Sequence, residues 1–310
     1  MSFNILFMGT PHFAKEFLKH LYSSKEYNIK AVYTQPPKKS HRGQKINFSP
    51  VHEFAKKNKI NVFCPTKFST EDILNIKKIN PDVILVVAYG VILPKEVLKI
   101  PCCGAVNVHA SLLPKWRGAA PIQRAIMNGD KLTGISIMKM VEKLDEGPTY
   151  LQSEIQINEN DTYDKIYNNL IDVGKETLDY YFSAHQPYLP VDQNSELASY
   201  ANKITKKDMQ INFDETAFST HKKICAFSPK PGAWFILDSC KYKIYETKFI
   251  KSENLKKYNK LENLILSFKN DYLLIKKIQK EGKNIMSVED FSRGYSKELK
   301  EIKEKFGAKR

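Results

Sequence analysis

The sequence predicts an α/β protein with a doubly wound, mostly parallel, Rossmann-like sheet, followed by a smaller C-terminal β-barrel of OB-like type. Three observations lead to this fold class. Apolar strands alternate with helical segments over roughly the first 180 residues. The run DVILVVAY, residues 82–89, is continuously apolar, as in a strand buried on both faces of a parallel sheet. Further along the chain, short alternating runs replace the helical pattern, as in YKIYETKFI, residues 242–250.

The predicted elements follow from local periodicity and end signals. Apolar runs predict strands over residues 3–10, 28–34, 82–89, 104–110 and 134–141. Helical spacing and proline or glycine boundaries predict helices over residues 12–24, 49–59, 121–130 and 163–184, with Ser49 as an N-cap before Pro50. Residues 263–278 predict a hairpin that turns at Asn270 and Asp271. We therefore expect an N-terminal catalytic domain at 1–188, a Pro-rich linker at 189–206 and a C-terminal domain at 207–310.

Composition excludes several classes of protein. The 310 residues are 42% hydrophobic, which is enough for a packed core. The start MSFNILFMGTP has no basic flank or cleavage site, and no apolar run reaches membrane-spanning length. The five cysteines are odd in number and lack CxxC spacing. We therefore expect a cytoplasmic protein without disulfides, a metal site or a membrane partner.

The positive charge is concentrated in the C-terminal third of the chain. The formal net charge is +15, and residues 201–310 carry 25 Lys+Arg against 14 Asp+Glu, a net charge of +11. Such a bias is the expected footprint of a domain that contacts a phosphate backbone. A solvated Lys-rich surface is the alternative interpretation.

Common chemical motifs are missing from the chain. The first turn, MGTPHFA, lacks the GxGxxG of a dinucleotide site, and there is no P-loop, HExxH or GxSxG sequence. Cys102 and Cys103 lie near His109 in sequence, but a thiol nucleophile is disfavoured. Cysteine is usually a small buried residue, and two in succession do not both face one site.

Asn107, His109 and Asp145 form the candidate catalytic group. On a strand, residues 107 and 109 point to the same face, and the carboxyl end of a parallel strand opens into the ligand crevice of α/β proteins. An amide and an imidazole aimed at one point suit an oxyanion that develops at a carbonyl carbon. Asp145, in a tight turn before Gly147, is placed to orient the imidazole and favour its protonated form.

This group suits acyl transfer between two nitrogens by direct attack of a substrate amine, since no covalent nucleophile is evident. The alternative is a strand-end Asn and His satisfied by neighbouring loops.

The segments NVHASLLPKWRGAAPIQRAI and TGISIMKMVEKLDEGP resemble the formyltransferases that use 10-formyltetrahydrofolate. The shared features are Asn-x-His, Ser-Leu-Leu-Pro and a later Asp, here Asp145. Further segments resemble the branch of this family whose acceptor is methionyl-tRNA. They are VYTQPPKKSHRGQKINFSPVHEFA, VVAYGVILP, SYANKITKKDMQINF and AFSPKPGAWF. The resemblance extends from residue 4 to about residue 236.

The resemblance implies roles for the site residues. Asn107 and His109 would polarise the formyl oxygen, and Asp145 would orient and charge the imidazole and help relay the proton of the amine. The folate site would be lined by Ser111, Leu112, Leu113, Pro114, Val91, Ile92 and Leu93. The donor would be 10-formyltetrahydrofolate and the acceptor the α-amino group of initiator methionyl-tRNA, giving N-formylmethionyl-tRNA and tetrahydrofolate. We expect a cytoplasmic monomer that acts in translation initiation.

The loop at residues 35–47 is the candidate tRNA contact. It carries four basic residues among Pro and Gly, a composition that suits a loop ordered by RNA. They are Lys38, Lys39, Arg42 and Lys45, of which Arg42 offers a fork suited to phosphate or a base edge. An ordinary solvated loop is the alternative.

Two departures from the family pattern concern this loop and the catalytic strand. The loop lacks the small residues that are common there. Ala110 replaces the usual Gly after His109, which is tolerated if the backbone there is extended.

Other functions fit the sequence less well. A formyltransferase for sugar-nucleotide amines shares the Asn-x-His and SLLP sequences but needs no basic appended barrel. Glycinamide ribonucleotide formyltransferase lacks the C-terminal third. A non-catalytic RNA-binding protein would not need Asn107, His109 and Asp145, and a nicotinamide oxidoreductase is disfavoured by the first turn.

Overall fold

The computed structural model describes residues 3–24, 26–39, 46–183, 188–258, 263–269 and 271–308, apart from the side chain of Lys39. The chain divides into two compact units that interleave along the sequence. The first contains Met1–Gly118, Gly134–Ile155 and Asn168–Tyr200, and the second contains Ala119–Thr133, Gln156–Tyr167 and Ala201–Arg310. The linear division expected from the sequence therefore differs from the compact units at two internal segments and within the expected linker.

Ten strands and six helices precede residue 184 in the part of the chain that the structure describes. The strands are β1 (Phe3–Gly9), β2 (Tyr27–Tyr33), β3 (Lys38–Lys39), β4 (Ile46–Asn47), β5 (Val62–Phe63), β6 (Val83–Val87), β7 (Ala105–His109), β8 (Arg117–Gly118), β9 (Leu132–Lys139) and β10 (Thr149–Gln156). The helices are α1 (His12–Ser23), α2 (Pro50–Lys57), α3 (Thr70–Ile79), α4 (Lys95–Leu98), α5 (Pro121–Asn128) and α6 (Tyr163–Ser183).

A seven-stranded sheet with the order β10-β9-β7-β6-β1-β2-β5 forms the centre of the first unit. Strands β5, β2, β1, β6 and β7 pair in parallel, whereas β9 pairs with β7 in the antiparallel direction. The mostly parallel sheet confirms the predicted fold class. Its parallel part places the carboxyl ends of β1, β6 and β7 at one edge, where α/β proteins bind ligands.

Burial in the first unit follows the predicted periodicities. All five residues of β6 are buried, as its continuous apolar run predicts. Helix α1 buries one apolar face through Phe13, Phe17, Leu18 and Leu21. Helix α2 begins as predicted, because the Ser49 side chain accepts a hydrogen bond from the His52 N–H and Pro50 occupies the first turn.

The second unit is built on an antiparallel sheet. The strands and α-helices that follow α6 are β11 (Tyr200–Ala201), β12 (Ala233–Leu237), β13 (Cys240–Ile250), β14 (Leu264–Ser267), β15 (Tyr272–Lys280), β16 (Met286–Ser287), α7 (Ala217–Ala226), α8 (Leu255–Tyr258), α9 (Val288–Gly294) and α10 (Ser296–Phe306). The sheet has the order β12-β13-β15-β14, with β16 also paired to β15. The predicted hairpin of 263–278 is confirmed as β14 and β15.

The core of the second unit includes helices that the sequence analysis did not predict. Ile224 and Phe227 from α7 and its C-cap, Phe291 from α9 and Ile302 from α10 lie in one apolar cluster with the inner face of the sheet. No described helix is both long and apolar enough to span a membrane.

Candidate active site

Strand β7 presents Asn107 and His109 on one face, as the two-residue period of a strand requires. Asn107 lies between Val86 of β6 and Met138 of β9, and His109 lies opposite Ser136 of β9. Both side chains are largely buried, since Asn107 is 9% and His109 6% exposed. The pair therefore lies largely buried at the carboxyl end of the strand.

The His109 imidazole contacts two protein groups. Nε2 lies 3.0 Å from the Trp116 carbonyl oxygen, and Nδ1 lies 3.7 Å from Oδ2 of Asp145. A carbonyl oxygen only accepts hydrogen bonds, so Nε2 carries a proton in this arrangement. Nδ1 faces the carboxylate at more than hydrogen-bond distance, which leaves this nitrogen able to reach a ligand atom.

Asp145 lies in the turn between β9 and β10 and is fixed by the backbone around it. Its φ is +53°, a left-handed conformation that Asp tolerates better than most residues. Oδ2 accepts a 2.8 Å hydrogen bond from the Gly118 N–H. Gly147 is required nearby, because a Cβ there would lie 1.8 Å from the Lys139 carbonyl oxygen. The structure thus brings together Asn107, His109 and Asp145, as predicted from the sequence.

Asn107 is the member of this group that is ready to bind a ligand. Within the part of the chain that the structure describes, its carboxamide has no hydrogen-bond partner. A mostly buried amide without a protein partner normally finds one in water or a ligand. Its N–H groups can therefore be directed at an oxygen that gains negative charge.

The predicted folate segment at 111–114 is a rigid loop beside this group. The buried Ser111 hydroxyl donates to the Lys115 carbonyl at 2.6 Å, so this side chain is occupied in holding the loop. The Ser136 hydroxyl accepts from the Leu113 N–H at 3.0 Å, and Gln152 Nε2 donates to the Leu113 carbonyl at 2.8 Å. Leu113 is buried, whereas Leu112 and Pro114 are half-buried and remain the candidates for direct ligand contact.

The second predicted folate segment, residues 91–93, follows the end of β6. The Tyr89 carbonyl accepts from the Thr10 hydroxyl at 2.8 Å, which ties this loop to the end of β1. Leu93 is buried in the core, Val91 is half-buried and Ile92 is 86% exposed. Ile92 thus offers apolar surface for a ligand, whereas Leu93 contributes mainly backbone.

The predicted tRNA-binding residues are described only in part. Arg42 and Lys45 lie outside the described residues, as does the side chain of Lys39. Lys38 is exposed and belongs to β3, which pairs with β4 in the antiparallel direction. The roles of these four residues stay predictions.

Ala110 and the cysteine pair at 102–103, on either side of β7, were considered in the sequence analysis. Ala110 is not among the described residues with a positive φ, so its methyl group is accommodated without strain in place of the family glycine. Cys102 and Cys103 do not follow the usual burial of cysteine, because both are exposed, with their sulfurs 3.8 Å apart. They precede β7 and His109 ends it, so the thiols lie at the other end of the strand from the candidate site.

Sequence reasoning missed the residues that hold this site together. Gln193 Nε2 donates to the carbonyls of Asp145 at 2.8 Å and Gly147 at 2.6 Å, and the Ser199 hydroxyl accepts from the Trp116 N–H at 3.0 Å. Both residues lie in the segment expected to be a linker. Hydrogen bonds to backbone groups do not depend on the residue type of the partner, so the sequence gives no pattern that identifies them. The Trp-Arg-Gly sequence at 116–118 marks only the segment that Ser199 contacts.

The described residues contain no cluster of three or more His, Cys, Asp or Glu side chains that would hold a metal ion.

Comparison with known proteins covers nearly the whole chain. Residues 1–180 match the formyl transferase family, and residues 203–296 match the formyl transferase C-terminal domain. A methionyl-tRNA formyltransferase of Caldicellulosiruptor saccharolyticus is 41% identical over 94% of this chain and 97% of its own. One from Pelagibacter ubique is 42% identical over 95% of this chain and 96% of its own.

Solved structures share the fold at lower identity. An N-formyltransferase of Helicobacter canadensis, in complex with folinic acid and dTDP-3-aminofucose, has a TM-score of 0.65 and 21% identity over 90% of this chain and 99% of its own. A methionyl-tRNA formyltransferase of Clostridium thermocellum has a TM-score of 0.56 and 18% identity over 79% of this chain and 93% of its own. With both matched domains and relatives above 40% identity, the chain belongs to the formyl transferase family, in the branch of the methionyl-tRNA formyltransferases.

Proposed function

We propose that the protein transfers the formyl group of 10-formyltetrahydrofolate to the α-amino group of initiator methionyl-tRNA. The observation that carries this proposal is the convergence of Asn107, His109 and Asp145 at the carboxyl end of β7. The names of the relatives at 41–42% identity support tRNA as the acceptor. The low-identity structures share a fold that also serves sugar-amine acceptors, so the fold by itself does not identify the acceptor.

The reaction requires no covalent intermediate on the protein. The neutral amine of the methionyl ester attacks the formyl carbon, and an α-amino group with a pKa of about 7.7–8.0 is partly neutral near pH 7. Formation of the new C–N bond converts the formyl oxygen into an oxyanion. The Asn107 amide and, in the imidazolium form, the His109 Nδ1–H would donate hydrogen bonds to this oxyanion.

Proton transfer completes the reaction. Oδ2 of Asp145 is held by the Gly118 N–H, and the carboxylate is the base nearest to the imidazole. In the proposed step, the Asp145 carboxylate takes up the proton released by the attacking nitrogen. Cleavage of the bond between the carbon and the folate nitrogen then restores the carbonyl and returns a proton to tetrahydrofolate.

The folate would bind against the two loops at the sheet edge. Leu112, Pro114 and Val91 are half-buried, and the exposed Ile92 extends the same kind of apolar surface. A planar pterin ring gains most of its binding energy from such surfaces, whereas backbone groups provide its orientation.

The basic residues of the C-terminal third would supply the sequence-tolerant part of tRNA binding. The net charge of +11 over residues 201–310 suits a domain that contacts a phosphate backbone. The loop at 35–47, with Arg42 at its centre, would contribute contacts close to the acceptor end. We also propose that the protein is cytoplasmic and monomeric. Light scattering of the purified protein would test the monomeric state.

An acceptor competition assay tests the proposed function. Formyl-labelled 10-formyltetrahydrofolate is incubated with the protein and equal concentrations of methionyl-tRNA and a dTDP-linked amino sugar. We expect label on methionyl-tRNA. Label on the amino sugar would establish the alternative function, and label that stays on the folate would contradict formyl transfer altogether.

A further inference from the structure

Residues 191–199, here called the strap, belong to the first unit and contact other segments of it at three places. Val191 forms an isolated bridge with Thr149 through two backbone hydrogen bonds of 2.8 Å. Gln193 contacts the turn that carries Asp145, and Ser199 contacts the segment that carries Trp116. The strap thus contacts the segments that present the two protein partners of the imidazole.

Both the nitrogen and the oxygen of the Gln193 carboxamide form hydrogen bonds. Nε2 donates to the carbonyls of Asp145 and Gly147, at 2.8 Å and 2.6 Å, and so bridges the catalytic turn. Oε1 accepts from Nε of Arg117 at 3.0 Å, and Arg117 is only 3% exposed. An amide is the side chain that donates and accepts in this way, so neither Ala nor Glu reproduces all three bonds.

Ser199 fixes the other partner of the imidazole. Its hydroxyl accepts from the Trp116 N–H at 3.0 Å, and its carbonyl accepts from the Arg117 N–H at 2.9 Å. The Trp116 carbonyl then accepts from Nε2 of His109. The position of the imidazole therefore depends on the peptide groups that Ser199 holds.

The backbone of Trp116 and that of Asp145 adopt conformations that need stabilising hydrogen bonds. Trp116 has a φ of +64° and Asp145 a φ of +53°, and residues with a side chain rarely adopt this left-handed region. Conformations of this kind persist only where the surrounding structure over-determines them. Hydrogen bonds from the strap reach the backbone N–H of Trp116 and the backbone carbonyl of Asp145.

We propose that the strap is a positioning element for formyl transfer, with Gln193 and Ser199 as positioning residues. They act through His109, by holding the Asp145 carboxylate and the Trp116 carbonyl on either side of the imidazole. The inference rests on the formyl transfer proposed above. It assigns a catalytic consequence to a segment that lies between the two matched family domains, at 1–180 and 203–296.

Six single variants of the full-length protein test the proposal. Gln193→Ala removes all three side-chain bonds, and Gln193→Glu keeps an acceptor for Arg117 but loses the donor to the turn. Ser199→Ala removes the hydroxyl, and Ser199→Thr retains it. The controls are Asn194→Ala and Ser195→Ala, which replace an exposed carboxamide and an exposed hydroxyl side chain next to Gln193. The Asn194 side chain bonds only the nearby Glu196 N–H within the described residues.

We measure kcat and the KM of each substrate, together with the imidazole ¹⁵N resonances of His109, identified by their loss in His109→Ala. Gln193→Ala and Gln193→Glu should lower kcat by about 10- to 100-fold, since small misplacements of catalytic groups have effects of this size. Ser199→Ala should lower it less, because its backbone bonds remain. In all three variants both KM values should stay within about two-fold and the His109 resonances should shift. Ser199→Thr and the two controls should behave as the parent does.

Parental kcat in the Gln193 variants would overturn the proposal, as would an equal loss in the two controls or a change confined to KM. Unshifted His109 resonances in the Gln193 variants would overturn it without reference to turnover. If the parent protein transfers no formyl group to methionyl-tRNA, the proposed function fails, and the His109 resonances still test the strap.

Discussion

Single residues around His109 have separate tasks that their contacts define. Asn107 has its carboxamide available for a ligand, Asp145 is held by the Gly118 N–H, and the imidazole lies between two fixed acceptors. The groups proposed to touch the substrate are thus few, and the groups that hold them are mostly backbone atoms.

Replacement of Asn107 by Ala should remove one oxyanion donor. We expect kcat to fall by about 10²- to 10³-fold, with little change in the KM of either substrate, because the interaction forms mainly in the transition state. Steady-state kinetics with methionyl-tRNA checks this. Asn28→Ala is the matched control, since Asn28 is an exposed residue near the amino end of β2 that bonds Asn4. A parental kcat in Asn107→Ala would remove Asn107 from the mechanism.

The shared orientation of Asn107 and His109 was predictable from the sequence, because strand periodicity places residues 107 and 109 on one face. Asp145 was proposed from its tight turn after a strand, and the family resemblance added support, since spacing alone does not show that this turn returns to β7. Gln193 and Ser199 were not predictable, because their partners are backbone groups of residues about 50 to 80 positions away in the chain.

At the scale of elements, long periodic segments were predicted well, whereas helix α7, which buries charged residues, was missed. Helix α7 buries Lys222 and Lys223, which disguises its periodicity in the sequence. Their ammonium groups donate to the carbonyls of Glu159 and Gln210, at 2.8 Å and 3.0 Å. The sequence does not show that these lysines have buried partners, so the spacing of apolar residues in 217–226 does not indicate a helix.

The turn between β9 and β10 should be sensitive to a single methyl group. Gly147→Ala would place a Cβ 1.8 Å from the Lys139 carbonyl oxygen, so the turn that carries Asp145 must move. We expect kcat to fall at least 10-fold, by the same misplacement argument, with a small change in melting temperature. Gly294→Ala is the control, because a Cβ there meets no atom within 4 Å. Equal kcat in the two variants would show that the turn does not position Asp145.

The second unit contains an acid-sensitive contact between α5 and the segment at 205–208. Burial raises the pKa of Asp208, but hydrogen bonds from Arg124 and Thr205 outweigh it and lower that pKa from 3.8 to about 2. A carboxyl whose pKa is depressed in the folded state stabilises the protein above its unfolded pKa. This stabilisation is lost as pH falls through the folded pKa.

Asp208→Asn should therefore lower the free energy of unfolding of the second unit by about 2 kcal/mol at pH 7. The difference from the parent should shrink as pH falls from about 4 to about 2. Urea unfolding followed by Trp234 fluorescence, in a Trp116→Phe background, measures it. The exposed Asp214→Asn serves as the control. A difference that stays constant with pH would contradict the assigned role of the ion pair.

At the scale of the whole molecule, two regions of the chain match family domains, at 1–180 and 203–296. The compact units of the structure are divided at other positions. Residues 119–133 and 156–167 precede the C-terminal family match yet pack in the second unit. One contact within that unit shows why, since His221 bonds both Thr247 Oγ and the Glu159 carbonyl. The pattern of residues along the sequence does not reveal such hydrogen bonds between residues that are far apart in the chain.

The net charge of +15 should make use of tRNA strongly dependent on salt. Release of counterions from the phosphate backbone predicts that the KM for methionyl-tRNA rises by at least about 10-fold between roughly 50 and 200 mM salt. The KM for the folate donor should change far less. Kinetics across this range checks the prediction, and a tRNA KM that is insensitive to salt would argue against a broad basic contact.

The most direct test of the account is the single-turnover transfer of labelled formyl groups to methionyl-tRNA by the parent protein and by His109→Ala, with tRNA binding measured on the same samples. We expect the parent to produce N-formylmethionyl-tRNA. His109→Ala should bind tRNA equally well and transfer the group at least about 100-fold more slowly. Transfer at the parental rate by His109→Ala would contradict the account.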